Sequence, residues 1–283
     1  MTFCGQALPE VAAPDLIVVP ARFGSQRLPG KPLLPIAGQT LLARVVAIAR
    51  EGARRAGNVD VVVATDDRRI LDHAHSLGCD AVMTDPAIAS GSGRAWAAAL
   101  SRRDAPPIVV NLQGDAPFVQ PATIATLIAA LRASSCGVAT PVIQLAWPAL
   151  DALRAQKAVS PFSGTTCTRR PDGRALWFSK AIIPAIRDEA RGRERDLLSP
   201  VFRHIGLYAY TFAALQRFEA TTPTCYERLE GLEQLRFLES GDDILTVAAD
   251  PSPHSMSGID TAADVAMAER LITEHGEPLL SWI

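Results

Sequence analysis

Between residues 16 and 112 the chain alternates short apolar runs with segments of helical periodicity. The runs are residues 16–19 (LIVV), 59–64 (VDVVVA), 79–83 (CDAVM) and 108–112 (IVVNL). A strand with one face in water alternates apolar and polar residues; a near-continuous apolar run belongs to a strand covered on both faces. Between the runs lie residues 39–56, where Leu42, Val45, Val46 and Ala49 recur at helical spacing. Then come a segment that Asp66 could cap, with Ile70, Ala74 and Leu77 on one face, and a third helix over 91–102. This order predicts an α/β fold with a mostly parallel sheet flanked by helices. Ligands of such sheets bind beyond the carboxyl ends of the strands. The loops after Val19, Ala64, Met83 and Leu112 should therefore line one crevice.

The second half is less regular. Residues 165–168 and 175–178 flank Pro171-Asp172-Gly173, which predicts a hairpin. Residues 204–210 (HIGLYAY) read as one strand, 226–238 as one charged amphipathic helix, 244–248 as a final strand and 262–274 as a last helix. With 283 residues, 48% of them hydrophobic, the chain has material for one large domain with a smaller lobe over the crevice. The division expected is an extension over 1–15 and a single domain over 16–283, its halves 16–143 and 144–283.

The net charge of −2 speaks against a nucleic-acid partner. No apolar run reaches the ~18 residues of a membrane span, and the first residues have no basic start or apolar core of a secretory signal. Five scattered cysteines without a C-x-x-C pair argue against a disulfide framework or zinc site. A cytoplasmic, reducing location is expected.

Four motifs carry chemistry. Residues 20–31 (PARFGSQRLPGK) follow the first strand with three cations, two glycines and a hydroxyl. Glycine lets backbone N–H groups approach an anion, and Arg22, Arg27 and Lys31 add charge-assisted bonds, which suits a triphosphate. Taken alone, such loops are more often solvated surface; the position after a strand argues otherwise. Asn111-Leu112-Gln113-Gly114-Asp115 ends the fourth strand, and a carboxylate facing a triphosphate calls for Mg2+ between them. A turn-forming Asp is the competing reading. Asp260, in Ser257-Gly258-Ile259-Asp260-Thr261, could cap the last helix or share metal with Asp115. Ser90-Gly91-Ser92-Gly93-Arg94 could hold phosphate, ribose or base at a helix start, or be a plain cap.

In this order P-A-R-x-x-S-x-R-L-P-G-K, S-G-x-x-R, N-x-Q-G-D-x-P, R-H-I-G-L-Y-A-Y, L-E-Q-L-R and G-I-D-T resemble the 3-deoxy-manno-octulosonate (Kdo) cytidylyltransferases over nearly the whole chain. The resemblance implies a nucleotide-diphospho-sugar transferase-like, Rossmann-like fold, a homodimer, Mg2+, and conversion of CTP and Kdo to CMP-Kdo and pyrophosphate for lipopolysaccharide synthesis. It implies a nucleotide-binding half over 16–143 and a sugar-binding and dimerisation half over 144–283. By position, Arg22 and Lys31 match phosphate-binding residues, with Ala21, Ser25 and Arg27 in the same loop. Ser90, Gly91, Arg94, Gln113 and Gly114 fall around the nucleotide, Gln113 beside cytosine and ribose. Asp115 and Asp260 match the metal carboxylates. Lys180, where the family usually has Arg, and Arg187 would face the sugar carboxylate. His204, Tyr208, Glu233 and Gln234 match the sugar pocket.

The chain departs from the family pattern at Asp85 (usually Arg), Gly93 (usually an acid), Ala116 (usually Glu) and Thr166, which falls at a Lys. Alternatives left open are the same reaction on the 8-amino analogue of Kdo or on another sugar acid such as sialic acid, and a nucleotide-binding paralogue without catalysis.

Overall fold

The computed structural model describes residues 12–24, 27–254, 256 and 258–278. Of the expected extension, residues 1–11 lie outside that set, and so does the candidate Ser25. In chain order the first half holds β1 (Asp15–Ala21), β2 (Pro35–Ile36), β3 (Gln39–Thr40), α1 (Leu41–Ala56), β4 (Val59–Thr65), α2 (Arg68–Ser76), β5 (Asp80–Met83), α3 (Gly91–Leu100), β6 (Ile108–Leu112), α4 (Pro121–Arg132) and β7 (Val138–Ala146). The second holds α5 (Trp147–Val159), β8 (Thr166–Arg169), β9 (Ala175–Ser179), α6 (Glu189–Arg195), β10 (Leu198–His204), β11 (Leu207–Thr211), α7 (Phe212–Ala220), α8 (Cys225–Glu230), α9 (Leu235–Glu239), β12 (Ile244–Ala248) and α10 (Ala262–His275).

Ten strands form one mixed sheet in the order β5-β4-β1-β6-β11-β7-β10-β8-β9, with β12 also on β7. The pairings β5-β4-β1-β6 and β12-β7 are parallel; β11, β10 and β9 run against their neighbours. Because strand side chains alternate, β1 feeds two cores. Ile17, Val19 and Ala21 join Leu42, Val45 and Ile48 of α1 and Ile124 and Leu127 of α4. Leu16 and Val18 join Ala95 and Ala98 of α3 and Leu215 and Phe218 of α7. Each such buried Val, Leu, Ile or Phe side chain contributes about 1.5–3 kcal/mol relative to exposure. A third cluster, Leu145, Trp147, Leu150, Leu153 and Val201, holds α5 against β10.

Several local expectations are corrected. The first strand starts at Asp15, whose buried carboxylate accepts from Ile108 N–H (2.9 Å) and Arg132, so this residue belongs to the sheet and not to the extension. Asp67, not Asp66, caps α2, its carboxylate accepting from Arg69 N–H at 2.9 Å. Residues 204–210 are not one strand. The chain switches from one side of β7 to the other, and Ile205–Gly206 is the crossing point between β10 and β11. The helix expected over 226–238 breaks at Gly231, which takes a left-handed φ of 63° and ends α8. The hairpin β8–β9 forms as read. Cys79, Cys136, Cys167 and Cys225 are free thiols.

Candidate active site

The first of two cavities, about 510 Å³, opens at the carboxyl ends of β1 and β6. Gly114 makes it possible. A Cβ there would stand 2.3 Å from the Pro20 carbonyl oxygen, so only glycine lets the exits of the two strands approach this closely. Ala21, Arg22, Arg27 and Lys31 line one wall; Ser90, Gly91 and Arg94 line another; Gln113, Gly114, Asp115 and Asp260 close it.

Within it two carboxylates converge on one ammonium. Lys31 Nζ lies 2.8 Å from Asp115 Oδ2 and 3.1 Å from Asp260 Oδ1, with only 13% of its side chain exposed. The partial burial strengthens these charge-assisted bonds. Arg27 reaches the other oxygen of Asp260 at 3.0 Å but is 67% exposed, so that pair is worth no more than about 1 kcal/mol. Asp260 is not the cap of α10. Thr261 caps it, in a reciprocal box with Asp264, and Asp264 also accepts from the Asp260 N–H at 2.9 Å. The Asp260 carboxylate therefore faces Lys31 and Arg27 and not the helix end. Ile259 N–H donates to the Asp115 carbonyl at 2.9 Å, docking the Gly258-Ile259-Asp260 segment on the turn that follows β6.

Two carboxylates within reach of one small cation match how Mg2+ is held, by one or two carboxylates plus phosphate oxygens and water. Among the described residues no group of three or more His, Cys, Asp or Glu side chains is placed to hold a metal ion, so substrate and water would supply the rest of the shell.

The Ser90 loop is a cap as well as a wall: Ser90 Oγ accepts from Gly93 N–H at 2.9 Å. Arg94 is buried and committed, donating to Thr84 Oγ1 (2.5 Å) and Asp66 Oδ2 (2.6 Å). It ties the ends of β4 and β5 to α3 and so sets the loop's position. A side chain at Gly93 would press on Ile88 and Ser90 at 2.9 Å, and the Glu219 carboxylate stands 3.4 Å from the same point. Asp85 is exposed and closes a local turn by accepting from Ala87 N–H at 2.8 Å.

The second cavity, about 450 Å³, adjoins the first, sharing Gly91, Gln113 and Asp115. Lys180, His204, Tyr208, Glu233 and Gln234 line it, and so does Ala116; Arg187 does not. Arg187 is exposed between Ile186 and α6, so the structure does not bring it to the expected place.

Burial governs this cavity. His204 Nε2 meets Thr140 Oγ1 at 2.8 Å; burial and then the Lys180 charge lower its pKa to about 3, so the ring is neutral at pH 7. Burial lowers the Lys180 pKa and pushes Tyr208 well up. Tyr208 OH donates to Gln234 Oε1 at 2.9 Å. Gln234 is 2% exposed, and its buried Nε2 has no hydrogen-bond partner among the described residues. Ser92 Oγ donates to Glu233 Oε2 at 2.5 Å. Ser92 and Arg203 also line this cavity; both lie inside motifs of the sequence, which assign neither of them a role. The break between α8 and α9 has a purpose here, because Gly231, Leu232, Glu233 and Gln234 form the wall. Thr166, at the position of the family's Lys, bonds main chain: it donates to Ala181 O (2.7 Å) and accepts from Ile183 N–H (3.0 Å).

The sequence matches the cytidylyltransferase family model over residues 16–244. Together with the sheet and its paired cavities, this defines a nucleotidyltransferase of the cytidylyltransferase class. A 3-deoxy-manno-octulosonate cytidylyltransferase of Maricaulis maris is 42% identical over 93% of this chain and 98% of its own length. The enzyme of that name from Vibrio cholerae is 35% identical over 92% and 98%. Among solved structures, a CMP:2-keto-3-deoxy-manno-octonic acid synthetase complexed with CTP superposes with a TM-score of 0.78 at 30% identity, covering 92% of this chain and 99% of that one. A 4-diphosphocytidyl-2C-methyl-D-erythritol synthase from Anaerococcus prevotii shares the fold alone, at 10% identity and a TM-score of 0.56. The chain belongs to the 3-deoxy-manno-octulosonate cytidylyltransferase family.

Proposed function

We propose that this protein transfers CMP from CTP to the anomeric hydroxyl of Kdo, releasing pyrophosphate, in the cytoplasm and as a homodimer. The observation that carries the reading is the junction of the two cavities: Asp115 lines both, so a nucleotide in one and a sugar acid in the other meet at its carboxylate. The first cavity has the cations a triphosphate needs. The second has a cation, Lys180, for a carboxylate, and His204 and Tyr208 beside it for hydroxyl groups.

The sugar's anomeric hydroxyl loses its proton to solvent as its oxygen forms the new bond to the α-phosphorus, and the bond to the β-phosphate oxygen breaks to release pyrophosphate. Arg22 and Lys31 offset charge on the phosphates, and Gln113 and the Ser90-Gly91 turn bind the nucleoside. Magnesium, when bound by Asp115 and Asp260, would neutralise phosphate charge. No covalent enzyme intermediate is required; positioning and electrostatics carry the rate. The lipopolysaccharide role follows from the product.

The test measures pyrophosphate release with Mg2+, each of four nucleoside triphosphates, and Kdo, its 8-amino analogue or sialic acid. CTP with Kdo should give the fastest release. A faster rate with another sugar acid would reassign the substrate, and no release with any combination would leave a nucleotide-binding protein without catalysis.

A further inference from the structure

Lys157 has no part in the chemistry above, yet main-chain oxygens from two separate segments converge on it. It lies in the last turn of α5. Its ammonium donates to the carbonyls of Ser163 (2.6 Å), Gly164 (3.1 Å) and Lys180 (2.5 Å), and Pro161 O stands at 3.4 Å. An ammonium has three N–H donors, and three close carbonyls use them all. Lys157 is therefore spent on main chain and has no donor left for a substrate.

The segments it joins are cavity wall: Gly164, Thr165 and Lys180 line the second cavity. Thr166 stitches the same two segments one step further on. Glu230 grips the other side of Lys180, accepting from its N–H at 2.7 Å and from Ser179 Oγ at 2.8 Å. The Lys180 main chain is thus fixed at both its carbonyl and its N–H. Placing a second cation here has a cost. Burial, and then the charge of Lys180, lowers the Lys157 pKa, with Arg203 adding to the effect and Glu230 opposing it. A wall that gathers like charges favours an anion in front of it.

We propose that Lys157 is a positioning residue for the sugar acid. It holds the Gly164–Thr165 wall and the Lys180 main chain so that the Lys180 cation meets the substrate carboxylate. This rests on the sugar-acid reading of the second cavity.

Lys157→Met keeps the stem and removes the donors and the charge. Two readouts test it. Hydrogen exchange of residues 160–166 and 180–183, followed without substrate, should quicken about tenfold or more, matching loss of a local constraint. Pyrophosphate-release kinetics should give a KM for Kdo raised about tenfold with the KM for CTP within about twofold. Lys157→Arg, which keeps charge and donors, should restore part of the Kdo KM. Unchanged exchange overturns the proposal. So does quickened exchange with an unchanged Kdo KM, or a parallel rise in both KM values, which would mark general loosening. If Lys157→Met does not fold, Lys157→Gln is read by the same two measurements. If the wild-type enzyme itself is inactive with every sugar acid tested, the sugar-acid reading fails, and the exchange arm still decides whether Lys157 braces the wall.

Discussion

The two cavities meet at Asp115 but are built on opposite terms. The first is made by close main-chain approach and, around the largely buried Lys31, by charges open to water: Gly114 against Pro20, Arg22 and Arg27 exposed, the Asp260 side chain 46% exposed. The second is made by burial: a neutral His204, a phenol and an amide locked together, and cations whose pKa values are lowered. Its walls come from segments as far apart as Gly91 and Ser252. The difference fits the two ligands. A triphosphate carries enough charge to be gathered by exposed cations. A sugar acid must be recognised hydroxyl by hydroxyl, and buried polar groups discriminate because a wrong ligand leaves them unpaired.

The sharpest way to break this comparison is at the junction. Asp115→Asn should lower turnover about 10²–10³-fold at saturating substrates, roughly 3–4 kcal/mol, by analogy with loss of one transition-state partner. Near-normal turnover would mean that the cavities do not share a reacting centre. Next in size is Gly114→Ala. The new Cβ must displace backbone, so a loss of about 1–3 kcal/mol in stability is expected, with weakened CTP binding. Urea melts and nucleotide titration measure both; unchanged CTP affinity would show that the strand approach does not shape the first cavity.

The third effect belongs to the buried cavity alone. The His204 pKa falls from 6.5 to about 3 in the folded chain. Between those values the unfolded chain binds a proton that the folded chain refuses, so stability falls as pH drops. The limit is roughly 1.4 kcal/mol per pH unit, or about 2 kcal/mol at pH 5. His204→Asn should flatten this slope in urea melts at pH 5 and pH 7. Equal slopes would mean that His204 titrates near its usual range and that the cavity is wetter than its burial implies.

The two regions also differed in how well the sequence announced them. Residues 108–112 and 244–248 are strands over the ranges read, because a fully buried strand writes its length in apolar residues. The glycine loop and Asp115 were legible for the same reason, each following such a run. The second cavity was less so. Its walls depend on where the chain turns: the switch across β7 at Ile205–Gly206, and the break at Gly231 inside a segment with a good amphipathic pattern. Neither event changes local hydrophobicity, so periodicity passes over both. Residues 121–159, given no element from the sequence, hold α4, β7 and α5. The buried stripe of α4, Ile124, Leu127, Ile128 and Leu131, has helical spacing, whereas β7 draws its three neighbours from distant segments. Asp66 and Asp67 are equally good caps on paper. Only the demand of Arg94 for a carboxylate decides between them.

The smallest expected effect tests where the second cavity ends. Resemblance pairs Arg187 with Lys180 on the sugar carboxylate, but the fold separates them. Ile182 and Ile186 pack on the cluster of α5 and β10, and Arg187, one residue further, is exposed and outside the cavity wall. An exposed side chain away from a buried feature changes binding or stability by no more than about 0.5 kcal/mol. Arg187→Ala should therefore leave the Kdo KM within about twofold. Lys180→Met, which removes the cation in the wall, should raise it about tenfold or more. A tenfold rise for Arg187→Ala would extend anion recognition onto the exposed rim. The second cavity would then use solvent-facing charge as the first does, and the contrast between them would narrow to His204, Tyr208 and Gln234.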